Sequence, residues 1–463
     1  MRSPLLRLLQ ALPISKKKNK ALSLYERAYA SESVTNFRFL SSLFATRSKY
    51  ILTDEDRIDD DALYTFLSEI SQYAELANGF FNPDFVFRNI DELCQPSYPL
   101  EGYKALQCDK PVFVSCFKGN VAKVQGYVAL RPHSQQLVIA FSGTSNISQA
   151  VNDVKAWKIT YPQRQGKGKG KGKEKSLGVH SGFWSMYRGI KEKAIKALQL
   201  GFSQTSTPIS TLVLTGHSMG STLCYLLALD IMDELCHPRT VATSSNQYGI
   251  TAGISLILAV FGSPRLGNKS LFRFWIKTLH DFRHRFGQES FREYSIKAYN
   301  DGAYVLPLRR MGYRHLTESP LYLYQGDLYQ IPQTECEHGI FTVTQSNDPS
   351  QHHDSHTQGL TDAVKPNSAT SHSDSQNAID GHDHDRLIWP RGGHNYYFRD
   401  MENSIRRIDW LELKKRGEEN WQERYNARLK EWEAQWDHPI VQSDSDVHGI
   451  TDAEKIIDDK DKA

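Results

Sequence analysis

The pentapeptide Gly216-His217-Ser218-Met219-Gly220 stands between an apolar run, T-L-V-L-T at 211–215, and a long helical run, S-T-L-C-Y-L-L-A-L-D-I-M at 221–232. Strand, sharp turn and helix in that order commit this stretch to a βα unit. The neighbourhood repeats the theme. Apolar β-favouring runs cover Pro111 to Phe117, Val124 to Leu130 and Gln136 to Phe141, the last two joined by a Pro-His-Ser turn signal. Beyond them the pattern predicts helix Gly182 to Leu200, strand Ser210 to Thr215, helix Met219 to Leu235, strand Leu256 to Phe261, helix Lys269 to Phe282 and strand Ser295 to Tyr299. Such alternation implies an α/β fold with a mostly parallel central sheet flanked by helices.

An amphipathic helix precedes these runs, from Asp59 to Phe81, with Leu63, Phe66, Ile70, Tyr73, Ala74, Ala77 and Phe81 at helical spacing. The organisation expected is therefore a basic, poorly ordered appendage over 1–58 and an α/β domain over 59–400. A helical extension follows over 401–440 and an acidic, disordered tail over 441–463. Two insertions interrupt the domain, a Gly-Lys alternation within 164–175 and a Ser-, Asp-, Asn- and His-rich tract over 337–391. Neither carries enough apolar surface to offset its ordering entropy, so both are expected to be disordered. In the extension Trp410, Trp421 and Trp432 recur every 11 residues, about three helical turns.

Composition excludes several classes. Lys plus Arg number 56 against 53 for Asp plus Glu, a formal charge of +3, too balanced for a nucleic-acid binder. No apolar run approaches the roughly 20 residues of a bilayer-spanning helix. The six cysteines form no CxxC pair and are expected to be free thiols. With an N-terminus whose leucines are broken by Arg7, this favours a cytoplasmic location, with peripheral contact at a membrane or lipid droplet and a mitochondrial address as lesser readings.

The chemistry centres on Ser218. A nucleophilic serine needs a sharp elbow that projects its hydroxyl, with small residues at Gly216 and Gly220 so that strand and helix pass closely. The bland alternative is a Gly-rich turn with a capping serine. A serine is inert without a base, and in this architecture the partners follow as acid, then histidine, at the ends of later strands. Asp301 directly follows Y-S-I-K-A-Y-N and is the acid, although Asn300-Asp301-Gly302 is also a strong turn sequence. Asp230 and Asp233 lie inside the helix after the serine. Of the later histidines, those in the polar tract lack a rigid frame, and His394, on a Gly-Gly turn before an aromatic run, is chosen as base over His315. His217 and His180 precede the serine and are expected to pack beneath the elbow.

These residues resemble the class 3 lipases, α/β-hydrolase enzymes that include the secreted fungal triacylglycerol lipases. The likeness runs from about Asp59 to Phe398. V-I-A-F-S-G-T (138–144) is similar to the family's VAFRGT, V-H-S-G-F (179–183) to VHxGF, and F-G-S-P-R-L-G-N (261–268) to TxGxPRVGN. Asn300-Asp301 with Leu306-Pro307 resembles NDxVPxLP, and His394 with Tyr397-Phe398 resembles HxxYF. The resemblance implies Ser218, Asp301 and His394 as triad, and an oxyanion hole from the N–H groups of Thr144 and Met219. It also implies a lid over 145–157 with Ile147, Val151 and Val154 on its apolar face. Departures stand at Ala150, Ser142 and Tyr304, where the family carries a lid tryptophan, an arginine and a proline. The activity implied is cofactor-free hydrolysis of acylglycerol esters, with a phospholipase or a non-catalytic lipid-binding scaffold as alternatives; a lipid ester is the partner, with no metal, nucleic acid or transmembrane segment.

Overall fold

The computed structural model describes residues 36–79, 83–96, 98, 100–122, 124–143, 157–162, 176–204, 208–237, 246–250, 253–344 and 392–399, with scattered residues between 420 and 430. The chain divides into two compact units, Met1–Asp409 and Trp410–Ala463. In the second, residues 423, 424, 426, 427 and 430 are helical and exposed; its tryptophans lie outside the described residues, as does the Gly-Lys insertion.

In chain order the strands of the first unit are β1 (Arg47–Leu52), β2 (Val112–Lys118), β3 (Gln125–Arg131), β4 (Gln136–Phe141), β5 (Lys158–Thr160), β6 (Gly178–His180), β7 (Thr211–His217), β8 (Ser255–Phe261), β9 (Phe291–Ala298), β10 (Pro320–Tyr324), β11 (Asp327–Gln330) and β12 (Ile340–Val343). The helices are α1 (Arg38–Phe44), α2 (Asp61–Asn78), α3 (Pro83–Arg88), α4 (Ile90–Leu93), α5 (Lys104–Asp109), α6 (Ser181–Gln204), α7 (Met219–Cys236) and α8 (Lys269–Phe286). Eight strands form one sheet in the order β11-β10-β9-β8-β7-β4-β3-β2. From β10 through β4 the pairs are parallel, and both margins are antiparallel. The mostly parallel sheet flanked by helices expected from the alternation is observed, in keeping with the α/β-hydrolase fold that the resemblance implies.

Period-2 alternation sorts the core. Leu212 and Leu214 of β7 join Leu137, Ile139, Leu256 and Leu258 in one cluster with α6, α7 and α8. Val213, Val138 and Ile257 are equally buried but point to the opposite face. There α2 packs on β7 and β4, and the Tyr127 hydroxyl donates to the Tyr73 carbonyl at 2.8 Å. With helices on both faces, β7 is buried along its whole length, which is why it reads as a continuous apolar run. α7 is buried almost all round, and each of its fully buried leucines, Leu223, Leu226, Leu227 and Leu229, contributes roughly 1.5–3 kcal/mol by leaving water.

Three features differ from the sequence reading. First, residues 36–58 are not an appendage: Asn36, Phe37, Arg38 and Leu40 are buried, and β1 pairs in parallel with β12. The apolar Phe37-Leu40 spacing is short, and the preceding basic stretch conceals it. Second, the tract expected to be disordered from 337 begins inside the fold. Glu337 is buried and its carboxylate pairs with Arg265 Nε, and β12 follows at once; residues 345–391 lie outside the described residues. Third, β9 begins at Phe291 rather than Ser295, and its first half went unseen because the buried inward position there, Glu293, is an ionisable residue. Such residues break the apolar pattern that marks a strand.

Candidate active site

Ser218 closes β7 and opens α7 with φ 59° and ψ −126°, a backbone geometry that is uncommon and strained for a side-chain-bearing residue. It persists because its surroundings fix it. The Ser218 N–H donates to the Phe261 carbonyl at 2.8 Å, and the Ser221 hydroxyl donates to the carbonyls of Gly216 at 2.8 Å and Phe261 at 3.0 Å. A Cβ at Gly220 would lie 2.3 Å from the Phe141 carbonyl oxygen, and one at Gly216 2.7 Å from the Gly220 carbonyl carbon. The glycines of the elbow are therefore demanded by backbone contact. Met219 is the first residue of α7, where an amide N–H has no partner within its own helix.

Asp301 lies just past the end of β9, two residues after Tyr299, whose own amide donates to Leu323. Its Oδ1 accepts from the N–H groups of Ala303 at 2.7 Å and Tyr304 at 3.2 Å, and Tyr397 donates its hydroxyl to Oδ2. His394 Nδ1 lies 3.0 Å from both carboxylate oxygens. Burial opposes the charge on Asp301. His394 beside it and the hydrogen bonds from His394 and Tyr397 outweigh that cost and hold its carboxyl below the usual value. Because a carboxylate only accepts, Nδ1 carries the proton in the neutral imidazole, which leaves Nε2 as the basic nitrogen.

Asp301 and His394 thus meet. Ser218 is joined to them through shared backbone: its amide is bound to Phe261, and at the next residue, Gly262 with φ +61°, a Cβ would meet Tyr397 Oη, Asp301 Oδ2 and His394 Cε1 at 2.6 to 3.0 Å. On the other side, a Cβ at Gly143 would touch Ser218 Cβ at 3.4 Å. Gly143 is pinned where its N–H donates to Asn78 Oδ1 at 2.6 Å. Ser142, the position of the family's arginine, accepts from Gln125 N–H through its hydroxyl at 3.0 Å. Thr144 and the lid positions Ile147, Val151 and Val154 lie outside the described residues.

The histidines set aside by chain order occupy structural positions. His180 is buried against Phe183, and burial lowers its pKa to about 4. His315 stacks on Tyr304 at 3.8 Å. Sequence reasoning missed Asn78, Ser221 and Asn36 as supports of the site. Their signal was faint: Ser221 only follows the elbow motif, and Asn78 and Asn36 are small polar residues that adjoin no motif. Among the described residues no group of His, Cys, Asp and Glu is disposed to hold a metal ion, and no helix is long and apolar enough to cross a membrane.

An α/β-hydrolase sheet with a strained serine elbow and a carboxylate-bound histidine on later loops defines a class before it defines a family. The profile of the family "Lipase (class 3)" matches residues 138–290, so this stretch of the chain, which runs from β4 to the start of β9, is similar to that family. It is 27% identical over 226 residues to secreted mono- and diacylglycerol lipase 2 of Gibberella zeae, covering 46% of this chain and 48% of that one. With secreted mono- and diacylglycerol lipase A of Penicillium cyclopium it shares 27% over 240 residues, 48% of this chain and 64% of that one. The chain thus spans less than two thirds of the length of these curated relatives. Among solved structures, lipase II from Rhizopus niveus aligns with a TM-score of 0.38 at 18% identity, over 56% of this chain and 81% of that one.

These relatives correct the expectation of a cytoplasmic location: those of Gibberella zeae, Penicillium cyclopium and Fusarium solani are named as secreted, which points to secretion. Cysteine usage misled because all six thiols are free and four of them, Cys94, Cys224, Cys236 and Cys336, are buried. A domain with so large an apolar core needs no disulfide in any compartment.

Proposed function

We propose that this chain is a secreted serine carboxylic-ester hydrolase acting on acylglycerols, with Ser218 as nucleophile, His394 as general base and Asp301 as the group that orients it. The observations that support the reading are the bidentate approach of Asp301 to His394 Nδ1 and a Ser218 held at φ 59° on a strand-to-helix elbow. Ser218 Oγ attacks the ester carbonyl carbon while its proton passes to His394 Nε2. The resulting oxyanion accepts from the Met219 N–H and, by family resemblance, that of Thr144, an arrangement worth about 3–4 kcal/mol of barrier per donor. Collapse expels the alcohol, which takes the proton from Nε2, and water repeats the sequence on the acyl-enzyme to release the fatty acid.

The names of the relatives from Gibberella zeae and Penicillium support mono- and diacylglycerols as the substrate class. Residues 145–157 serve as lid in this reading, and the α/β domain carries the activity with the 401–440 segment as an extension. A test compares the purified protein with Ser218→Ala on emulsified monoolein, diolein, triolein and phosphatidylcholine. Turnover of the glycerides by the wild type alone supports the proposal. Phospholipid as the preferred substrate would redirect it, and vesicle binding without any serine-dependent hydrolysis would leave only a scaffold.

A further inference from the structure

The loop that carries His394 is gripped by a segment more than 350 residues away in sequence. The Asn36 carbonyl accepts from the His394 N–H at 3.0 Å, and its side-chain Oδ1 accepts from the Asn395 N–H at 3.1 Å. Two residues on, Arg38 Nε donates to the Gly392 carbonyl at 2.6 Å, and its guanidinium lies 5.4 Å from the centre of the Tyr396 ring. Between them Phe37 sets its ring edge-on to the His394 imidazole at 5.3 Å. Asn36, Phe37 and Arg38 are all buried.

The fit leaves little slack. Phe37 adopts φ 56°, a left-handed conformation that a bulky residue rarely takes unless neighbours over-determine it. Gly393, at φ +119°, leaves room for a Cβ only 2.3 Å from Asn36 Oδ1. The same segment touches the acid's turn: a Cβ at Gly302, next to Asp301, would fall 2.0 Å from the Phe37 carbonyl oxygen. Phe37 and Leu40 anchor it by packing with Ala303. One short segment therefore fixes the backbone on both sides of the Asp301–His394 pair.

We infer that residues 36–38 form a strap that sets the His394 loop for proton transfer, with Asn36 and Arg38 as positioning residues. The inference rests on the reading of His394 as general base. Positioning errors near one ångström can lower turnover about 100-fold without contact with substrate. Loosening the strap therefore acts on kcat, since the segment touches the His394 loop and the Asp301 turn.

The test uses the full chain with a soluble p-nitrophenyl ester, reading kcat, KM and melting temperature for the wild type, Asn36→Ala, Asn36→Asp and Arg38→Ala. Asn36→Ala removes the acceptor of Asn395 and is expected to lower kcat by roughly 10- to 100-fold with KM nearly unchanged. Asn36→Asp keeps that acceptor and is expected to recover most of the loss, and Arg38→Ala lowers kcat in the same selective way. A lowered melting temperature with wild-type kcat in the Ala variants, or no recovery in Asn36→Asp, overturns the inference. Should Asn36→Ala fail to fold, Arg38→Ala decides by the same criterion. A wild-type chain with no esterase turnover and no labelling of Ser218 by a fluorophosphonate would instead overturn the hydrolase reading, and the strap's role with it.

Discussion

His217 and His394 lie ring against ring, their centroids 4.3 Å apart, and the Nε2–H of His217 donates to the backbone carbonyl of His394 at 2.8 Å. The two imidazoles have opposite environments. His394 has a carboxylate at its Nδ1, whereas His217 is enclosed, and burial, then the neighbouring His394, push its pKa down to about 3. It is a neutral donor that braces the His394 loop, so in the proposed mechanism it does not compete for the Ser218 proton.

This gives a signed pH dependence. The unfolded chain protonates His217 near pH 6.5 and the folded one near 3, so between those values the unfolded state holds more protons. The contribution of His217 is complete above 6.5 and is lost as pH falls, by up to on the order of 5 kcal/mol. His217→Phe removes the titration and leaves the His394 carbonyl unpaired, so it is less stable at pH 7 by about 1–3 kcal/mol. In urea unfolding the gap between wild type and variant should close and then reverse as pH drops to 4. A gap that stays constant would remove His217 from this account.

Asp301→Asn keeps the shape of the side chain but offers an amide where His394 needs an acceptor, which favours the wrong imidazole tautomer. The expected fall in kcat is about 10⁴-fold, by analogy with serine hydrolases in general. Tyr397→Phe removes one of the hydrogen bonds that Asp301 accepts while leaving the Nδ1 contacts intact, so its effect on kcat should be far smaller. Equal losses in the two variants would mean that Asp301 acts through Tyr397 rather than through His394.

Gly220→Ala tests the elbow. The added methyl would sit 2.3 Å from the Phe141 oxygen and 3.0 Å from Phe141 and Ser142 carbonyl carbons, all backbone atoms of the strand end that leads into Gly143. Neither α7 nor β4 can yield without disturbing the core. A destabilisation above about 4 kcal/mol, in the exceptional range for a point change, is expected in thermal unfolding. A variant that melts near the wild type would show that the helix can slide on the sheet.

The parallel centre of the sheet and the triad candidates were legible because both are written locally: β7, β8 and α7 are continuous apolar runs, and Ser218, Asp301 and His394 each follow an element end. What stayed hidden depends on contacts distant in sequence. The burial of Asn36 is decided by Gly392 to Asn395, and β1 exists because β12 pairs with it. The hairpin of β10 and β11, turning at Gln325 and Gly326 with positive φ, went unread because its Tyr-rich alternation lacks the usual Asn-Gly turn. The compartment was misread because buried free thiols report on packing rather than on redox surroundings.

Glu293 offers a prediction of opposite sign to that of His217. It is buried within β9, where Tyr225 donates its hydroxyl to Oε1 at 2.6 Å and the Glu318 N–H donates to Oε2 at 3.0 Å. Burial raises its pKa to about 7, despite these hydrogen bonds. The folded state then holds a proton that the unfolded chain gives up above pH 4.5, so this stabilisation is present below 4.5 and is lost as pH rises through 7. The swing is on the order of 3 kcal/mol. Glu293→Gln carries no ionisable group, so its stability relative to the wild type should improve between pH 5 and pH 8 in urea unfolding. If the two proteins keep a fixed difference across that range, the buried carboxyl is ionised throughout, and the hydrogen bonds from Tyr225 and Glu318 outweigh its desolvation.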